Sequence, residues 1–215
     1  MRMLVLAATE MELQQCRDYC HQIGKEGLTR FRTVGVGAIA AAFHTYQYIL
    51  ECRPDIVLLV GIAGSFDKKI TLGTTFLVRA EIQATTGVEE NGAWKDVFDM
   101  GLVQKDQPPY QDGWLVNPFL ENYMGSGLPV ANSISVDEIT TSMERRQAYA
   151  DKYQPVLESM EGAAFHFVCL QIGIPFLQIR SVSNYVGDRD KAKWDFSKAL
   201  ANLNDGVMGL MKHLG

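Results

Sequence analysis

Residues 56–65 read IVLLVGIAGS, five consecutive bulky apolar side chains running into a stretch of small ones. A run of this kind, with Pro54 before it and glycine after it, suits a strand buried on both faces. Working outward, residues 2–7 form a second such run, and a helical pattern through Leu13, Cys16, Arg17 and Cys20 follows it. Between the two runs lie a short strand at 31–35, a turn marked by Gly35 and Gly37, and a helix that ends near Glu51, ahead of Pro54. Downstream, residues 72–84 read as a long strand, 129–134 as a strand, 142–152 and 160–173 as helices, 175–182 as a buried strand and 194–213 as a closing helix. Strands alternating with helices predict an α/β fold of three layers, α/β/α, around a mixed central sheet. The stretch from Thr85 to Asn117 breaks the pattern with glycine, Pro108-Pro109 and many polar residues. It reads as a loop-rich excursion, of the sort that serves either as a lid or binding surface or as a plain exposed loop. No repeat, low-complexity tract or linker divides the chain, so one domain over 1–215 is expected.

Composition narrows the function classes. At 215 residues and 47% hydrophobic content the chain can bury roughly 70% of its unfolded surface in one core. A formal charge of -5 leaves no general basic face, so no nucleic-acid partner is expected. Glu10 and Glu12 interrupt the amino-terminal apolar run before it could act as a signal segment, and no stretch has transmembrane length, so no membrane partner is expected. Cys16, Cys20, Cys52 and Cys169 show neither CxxC spacing nor a dense framework, which suits reduced thiols in the cytoplasm. GIAGS is not followed by the Lys-Ser or Lys-Thr of a phosphate loop, and GVG at 35–37 lacks the third glycine and the downstream acid of a dinucleotide fingerprint. No cofactor and no metal are expected.

Ligands of open α/β sheets bind beyond the carboxyl ends of strands, so the residues at those ends deserve reading first. They are Ala8-Thr9-Glu10-Met11-Glu12, Gly61-Ile62-Ala63-Gly64-Ser65, Met160-Glu161-Gly162 and Arg180-Ser181-Val182-Ser183-Asn184. Each also has a plain structural reading. An acid at a helix start complements the macrodipole, glycines supply unusual dihedrals, and an asparagine ending a strand forms turns. Glu161, set among Met160, Gly162, Ala163, Ala164 and Phe165, is a carboxylate in close-packed surroundings, which needs partners or a shifted pKa. It is equally readable as a helix N-cap or first-turn acid.

Taken together, ESMEGAA at 158–164, RSVSN at 180–184, the amino-terminal strand leading to Glu12, and VGVGAIAAA followed by VGIAGS resemble the nucleoside phosphorylase and nucleosidase superfamily. The resemblance covers nearly the whole chain in order and implies a nucleoside phosphorylase-like fold. The superfamily's methylthioadenosine/S-adenosylhomocysteine nucleosidases carry Arg-x-x-Ser-Asp where this chain has Asn184. The continuation NYVGDRDKAKW is similar instead to the futalosine hydrolases, which release a hypoxanthine-type base in menaquinone biosynthesis.

That likeness implies residue roles. Glu12 would position and deprotonate the attacking water, Glu161 would accept hydrogen bonds from the ribose hydroxyls, and Met160 would pack on the sugar face. Asn184 and Ser183 would hold the base, with Ala63 and Gly64 lining the pocket. The adenine-specific branch has serine at the position of Ile62, so a polar sugar contact is missing here. An asparagine amide offers one acceptor and two donors, so Asn184 favours a 6-oxopurine and cannot be the general acid. Arg180 reads as a structural ion-pair partner and Trp194 as a packing residue. A small-molecule purine nucleoside is the expected partner, and relatives pair as homodimers or higher homo-oligomers that complete each other's pockets. Candidates for gripping the carboxyphenyl group of futalosine are the loop at 85–117 and Ser135–Thr141. Rival readings are an adenine-type nucleosidase, a purine nucleoside phosphorylase, and a nucleoside-binding protein without catalysis. No arginine lies within either glycine turn, which favours hydrolysis over phosphorolysis.

Overall fold

The computed structural model describes residues 1–24 and 27–214. In chain order the elements are β1 (Met3–Ala7), α1 (Glu10–Gln22), β2 (Thr29–Thr33), α2 (Ala38–Cys52), β3 (Ile56–Ser65), β4 (Thr75–Gln83), β5 (Gly87–Glu90) and β6 (Ala93–Asp96). There follow β7 (Leu115–Val116), β8 (Val130–Ser135), α3 (Met143–Tyr153), β9 (Leu157–Ser159), α4 (Gly162–Ile172), β10 (Phe176–Tyr185) and α5 (Phe196–Leu214).

The main sheet is mixed and runs β10-β4-β8-β9-β3-β1-β2, with β7 added to β4. Strand β3 also pairs with β10, so β3, β10, β4, β8 and β9 close on themselves while β1 and β2 extend the open side. The pairs β1–β2, β1–β3, β3–β10, β4–β8 and β8–β9 are parallel; β4–β10, β3–β9 and β4–β7 are antiparallel.

The apolar runs fill both faces because alternate side chains meet different helices. Met3, Val5, Ile56, Leu58, Val60, Leu177 and Ile179 pack with Leu13, Cys16 and Cys20 of α1 and with Leu203, Val207 and Leu210 of α5. Leu4, Leu6, Val57, Leu59 and Phe176 face the other way, onto Ala41 and Ile49 of α2 and Phe165 and Cys169 of α4. Each such buried side chain contributes about 1.5–3 kcal/mol from water exclusion. These two faces are where the helix layers meet the sheet in the expected three-layer arrangement.

Several expectations shift. GIAGS is not a turn: β3 continues through Ser65 because its far half gains two partners, β9 and β10. Strand β10 likewise runs to Tyr185 rather than 182, and β2 starts at Thr29 rather than 31. Arg17 lies on the solvent side of α1, paired with Glu10 at 2.8 Å, while Glu12 takes a buried place on the helix. The 85–117 excursion holds the hairpin β5–β6 and the short β7. The hairpin docks on α3 through Trp94, whose indole N–H donates to the Tyr153 hydroxyl (3.1 Å) and whose ring meets Tyr149 edge-on.

Beneath the start of α4 lies Glu81 of β4, fully buried, accepting from Gln178 Nε2 (2.8 Å) and Ser135 Oγ (3.0 Å). Burial pushes its carboxyl above the usual range, and the Ser135 hydroxyl also accepts from the Ala163 N–H (2.8 Å). Strands β4, β8 and β10 are thereby tied to the first turn of α4, directly after Glu161.

Candidate active site

Glu12 sits in the first turn of α1, whose N-cap is Thr9. Its Oε2 accepts from the Thr9 N–H (3.0 Å) and hydroxyl (2.9 Å), and its Oε1 accepts from the Ile62 N–H (3.1 Å). The helix-start reading of this acid is therefore correct as far as it goes. The bond to Ile62 adds something local sequence cannot supply, because it fastens α1 to the glycine-rich half of β3. A carboxylate has about four lone-pair sites. Three are filled, and the remaining one is on Oε1, the oxygen over β3.

Glu161 is the N-cap residue of α4, its side chain makes no capping bond to the helix, and it is 5% exposed. Its Oε1 accepts from the Gly37 N–H (3.1 Å), so the GVG turn serves to hold this acid. Its Oε2 pairs with Arg180 Nη2 at 3.4 Å, with Arg180 itself 1% exposed. A methyl group on Gly61 would overlap Arg180 Nη1 and stand 2.9 Å from Glu12 Oε1, so the guanidinium passes directly over Gly61 between the two acids. Arg180, expected as an ordinary structural ion pair, is thus paired inside the site. Although neither GVG nor GIAGS contains an arginine, the fold brings one to β3, where Glu161 engages it.

Asn184 follows a register shift in β10 between Val182 and Asn184 and pairs with Gly64. Bulges of this kind re-aim a side chain. The Ser183 hydroxyl donates to Asn184 Oδ1 (2.8 Å), which orients the amide.

One cavity of about 250 Å³ is lined by Glu12, Ala63, Gly64, Met160, Glu161, Ser183 and Asn184 together, with Ile62 and Arg180 beside them. All seven residues picked from the sequence therefore converge. Trp194, expected to be a packing residue, also lines it, its indole N–H held by the Asp188 carbonyl (2.9 Å). Of the two candidate segments for the carboxyphenyl group, Val136 and Ile139 reach this cavity. The 85–117 stretch instead lines a separate, more polar cleft of about 750 Å³ with Asp137, Arg145 and Tyr149. Among the described residues no cluster of three or more His, Cys, Asp or Glu could hold a metal ion.

Sequence reading passes over Glu158. It stands in the quoted ESMEGAA motif and lines the cavity, accepting from the Thr140 N–H (3.1 Å). The available signal was a second acid three residues before Glu161, an ordinary spacing that singles out nothing without the strand pairing of β9.

The Phosphorylase superfamily pattern matches residues 19–212. A futalosine hydrolase of Thermus thermophilus is 32% identical over 183 residues, covering 84% of this chain and 80% of that protein. Among solved structures, a futalosine hydrolase of Helicobacter pylori superposes with a TM-score of 0.78 at 16% identity, covering 99% of this chain and 97% of that one. A methylthioadenosine/S-adenosylhomocysteine nucleosidase of Neisseria meningitidis does so with 0.80 at 20% identity, covering 99% of both chains. With its mixed sheet, its helix layers and a family pattern spanning most of its length, the chain belongs to the phosphorylase superfamily.

Proposed function

We propose that this chain hydrolyses the N-glycosidic bond of futalosine, releasing a hypoxanthine base, in menaquinone biosynthesis. The observation that carries the reading is the single cavity in which Glu12, Met160-Glu161 and the serine-held amide of Asn184 converge. Similarity to the Thermus thermophilus futalosine hydrolase supports it.

In this reading Glu12 uses its free Oε1 site to take a proton from water as the water attacks the anomeric carbon of an oxocarbenium-like state. Glu161 keeps lone pairs beyond those used by Gly37 and Arg180, and these accept the ribose hydroxyls. Met160 packs on the sugar face, while Ala63 and Gly64 leave room for the sugar and base. The leaving base takes its N7 proton from solvent, and Asn184 accepts from that N7–H and donates to the 6-oxo group. The whole of 1–215 acts as one domain, and its four cysteines, without CxxC spacing, suit a cytoplasmic setting. No described helix is long and apolar enough to cross a membrane.

A substrate panel tests the reading. With futalosine, inosine and methylthioadenosine, each with and without phosphate, base release from futalosine is expected to be fastest and independent of phosphate. Comparable kcat/KM for futalosine and methylthioadenosine sinks the substrate assignment. A requirement for phosphate makes the enzyme a phosphorylase, and no turnover of any nucleoside leaves a binding protein.

The chain also acts as a homodimer in this reading. Val36, Ile39, Phe43, Tyr46 and Leu50 stand exposed at three- and four-residue spacing along α2 and the turn before it, Ile39 at 89%. Val36 lines the cavity as well, so the stripe runs up to its mouth, where a second copy would close it. Ile39→Glu is expected to halve the mass seen by sedimentation and to raise KM. A wild-type protein that sediments as a monomer at micromolar concentration refutes the dimer.

A further inference from the structure

Under the start of α4 lies a buried chain of polar groups that the reaction proposed above leaves unused. Glu81 of β4, Gln178 of β10, His166 of α4 and Ser135 of β8 are all fully buried. Gln178 Nε2 stands 2.8 Å from Glu81 Oε1, and the same side chain is a hydrogen-bonding neighbour of the His166 ring. The ring's Nδ1 lies 2.9 Å from the Leu115 carbonyl, which can only accept, so Nδ1 carries a proton. A methyl group on Gly162 would overlap Glu81 Oε1 and stand 2.6 Å from Gln178 Nε2. The chain therefore packs directly against the residue that follows Glu161.

Its hydrogen bonds do not close with the amide in this orientation. Among the described residues, Gln178 Oε1 and His166 Nε2 are both buried without a partner. With Nδ1 protonated, a neutral His166 presents a lone pair at Nε2, and Gln178 Oε1 presents others, so two acceptors lack a proton. Each such orphan costs the desolvation of a polar group. Two remedies exist. A protonated His166 could donate to Gln178 Oε1 opposite an ionised Glu81, which puts two charges into a dry interior. Alternatively the amide turns over, which preserves its shape. Its N–H then donates to His166 Nε2 and its oxygen meets Glu81 Oε1, which must supply a proton. This second arrangement is neutral throughout. Ser135 suits it, because its hydroxyl donates to the other oxygen, Glu81 Oε2 (3.0 Å), while accepting the Ala163 N–H (2.8 Å). The charge of Arg180 on β10 reaches both Glu81 and His166, but that cation is already paired with Glu161 at 3.4 Å. Burial pushes the Glu81 carboxyl above its ordinary range and the His166 imidazole down to about 4, so both favour the neutral form.

We propose that Glu81 is a positioning residue held as the neutral acid: it donates to Gln178, Gln178 donates to His166, and the closed chain fixes the start of α4 so that Glu161 keeps Arg180 to itself. The functional half rests on the reading above that Glu161 receives the ribose hydroxyls, whereas the proton on Glu81 does not depend on it.

Thermal unfolding of the full chain between about pH 5 and pH 8 tests the proton. Glu81→Gln supplies an N–H where the acid supplies its O–H, without taking a proton from solvent. A carboxyl raised in the folded state above its unfolded value of about 4.3 makes wild type lose stability as pH rises, and the glutamine variant does not share that loss. Glu81→Gln is therefore expected to melt above wild type at pH 7, by about 2–8 °C, with the gap closing toward pH 5. An ionised Glu81 gives the opposite sign, because its donors would lose a charged acceptor, so a Tm at pH 7 equal to or below that of wild type overturns the proposal. The infrared difference between wild type and Glu81→Gln at neutral pH is expected to contain the carbonyl stretch of a protonated carboxylic acid, and its absence likewise overturns it. Positioning is read from kcat/KM for futalosine well below each Tm. Glu81→Leu is expected to lose on the order of 10–100-fold, the scale of a small misplacement, and Glu81→Gln to stay within a few-fold of wild type. A Glu81 that only stabilises the fold would leave both variants at the wild-type rate, which refutes the positioning role. Ser135→Ala, which cuts the same tie at Ala163, takes the place of Glu81→Leu if the latter does not fold. If wild type turns over no nucleoside, the reading of the cavity falls, while the melting and infrared results still decide the proton.

Discussion

Glu12→Gln is expected to lower kcat for base release by on the order of 10²–10⁴-fold, the range for a general base, with KM changed only a few-fold. Glutamine keeps the shape of the side chain and removes its capacity to take a proton. The substitution is not silent structurally. Thr9 N–H, Thr9 hydroxyl and Ile62 N–H all donate to this side chain. An amide has one oxygen, so its NH2 group must face at least one donor. That mismatch costs about 1–3 kcal/mol, or roughly 2–12 °C in Tm for a chain of this size. Measuring kcat and KM well below the variant's own Tm separates the two effects. Turnover near the wild-type rate would remove Glu12 from the role of base and leave it as the residue that ties α1 to β3.

Arg180→Met is expected to be the most damaging change to stability, at about 3–5 kcal/mol, because it strands a buried carboxylate. Arg180 is 1% exposed, pairs with Glu161 and passes over Gly61, so its loss leaves Glu161 without its cation. Methionine fills much of the volume and isolates the loss of charge. The double variant Arg180→Met, Glu161→Gln is then expected to regain a substantial part of the lost stability while remaining inactive. Denaturant unfolding of wild type, both single variants and the double variant gives the coupling directly. A single variant within about 1 kcal/mol of wild type would mean that Glu161 is held by Gly37 and α4 alone.

The two predictions differ in how much of them could be read without a structure. Glu12 stands at a strand end in a recognisable sequence context. Its water-activating role follows from resemblance, while its bond to Ile62 does not. For Arg180 the sequence offers an apolar strand containing one cation, and a buried ion pair is the natural expectation. Which acid it meets depends on β10 lying beside β3 and on α4 starting above both. The hairpin β5–β6 and the three-residue β9 were illegible for another reason. Their sequences, GVEE, AWKD and LES, carry too few apolar residues to show a period, and docking on α3 or pairing with β3 and β8 stabilises them.

By itself the sequence determined the α/β alternation and the identity of the buried strands, and its resemblance to a known superfamily picked out the residues that gather at one cavity. The first two follow from local facts: which side chains avoid water, and where glycine and proline interrupt. Only the tertiary structure decided that the sheet closes through β3–β10, that Arg180 stands between Glu12 and Glu161, and that Glu81 meets Gln178 under the start of α4. Those are matters of register between strands more than a hundred positions apart in places, as Gly64 is from Asn184. Register is set by the packing of whole elements, so a carboxylate such as Glu81 acquires its neighbours, and with them its chemistry, only when the fold is complete.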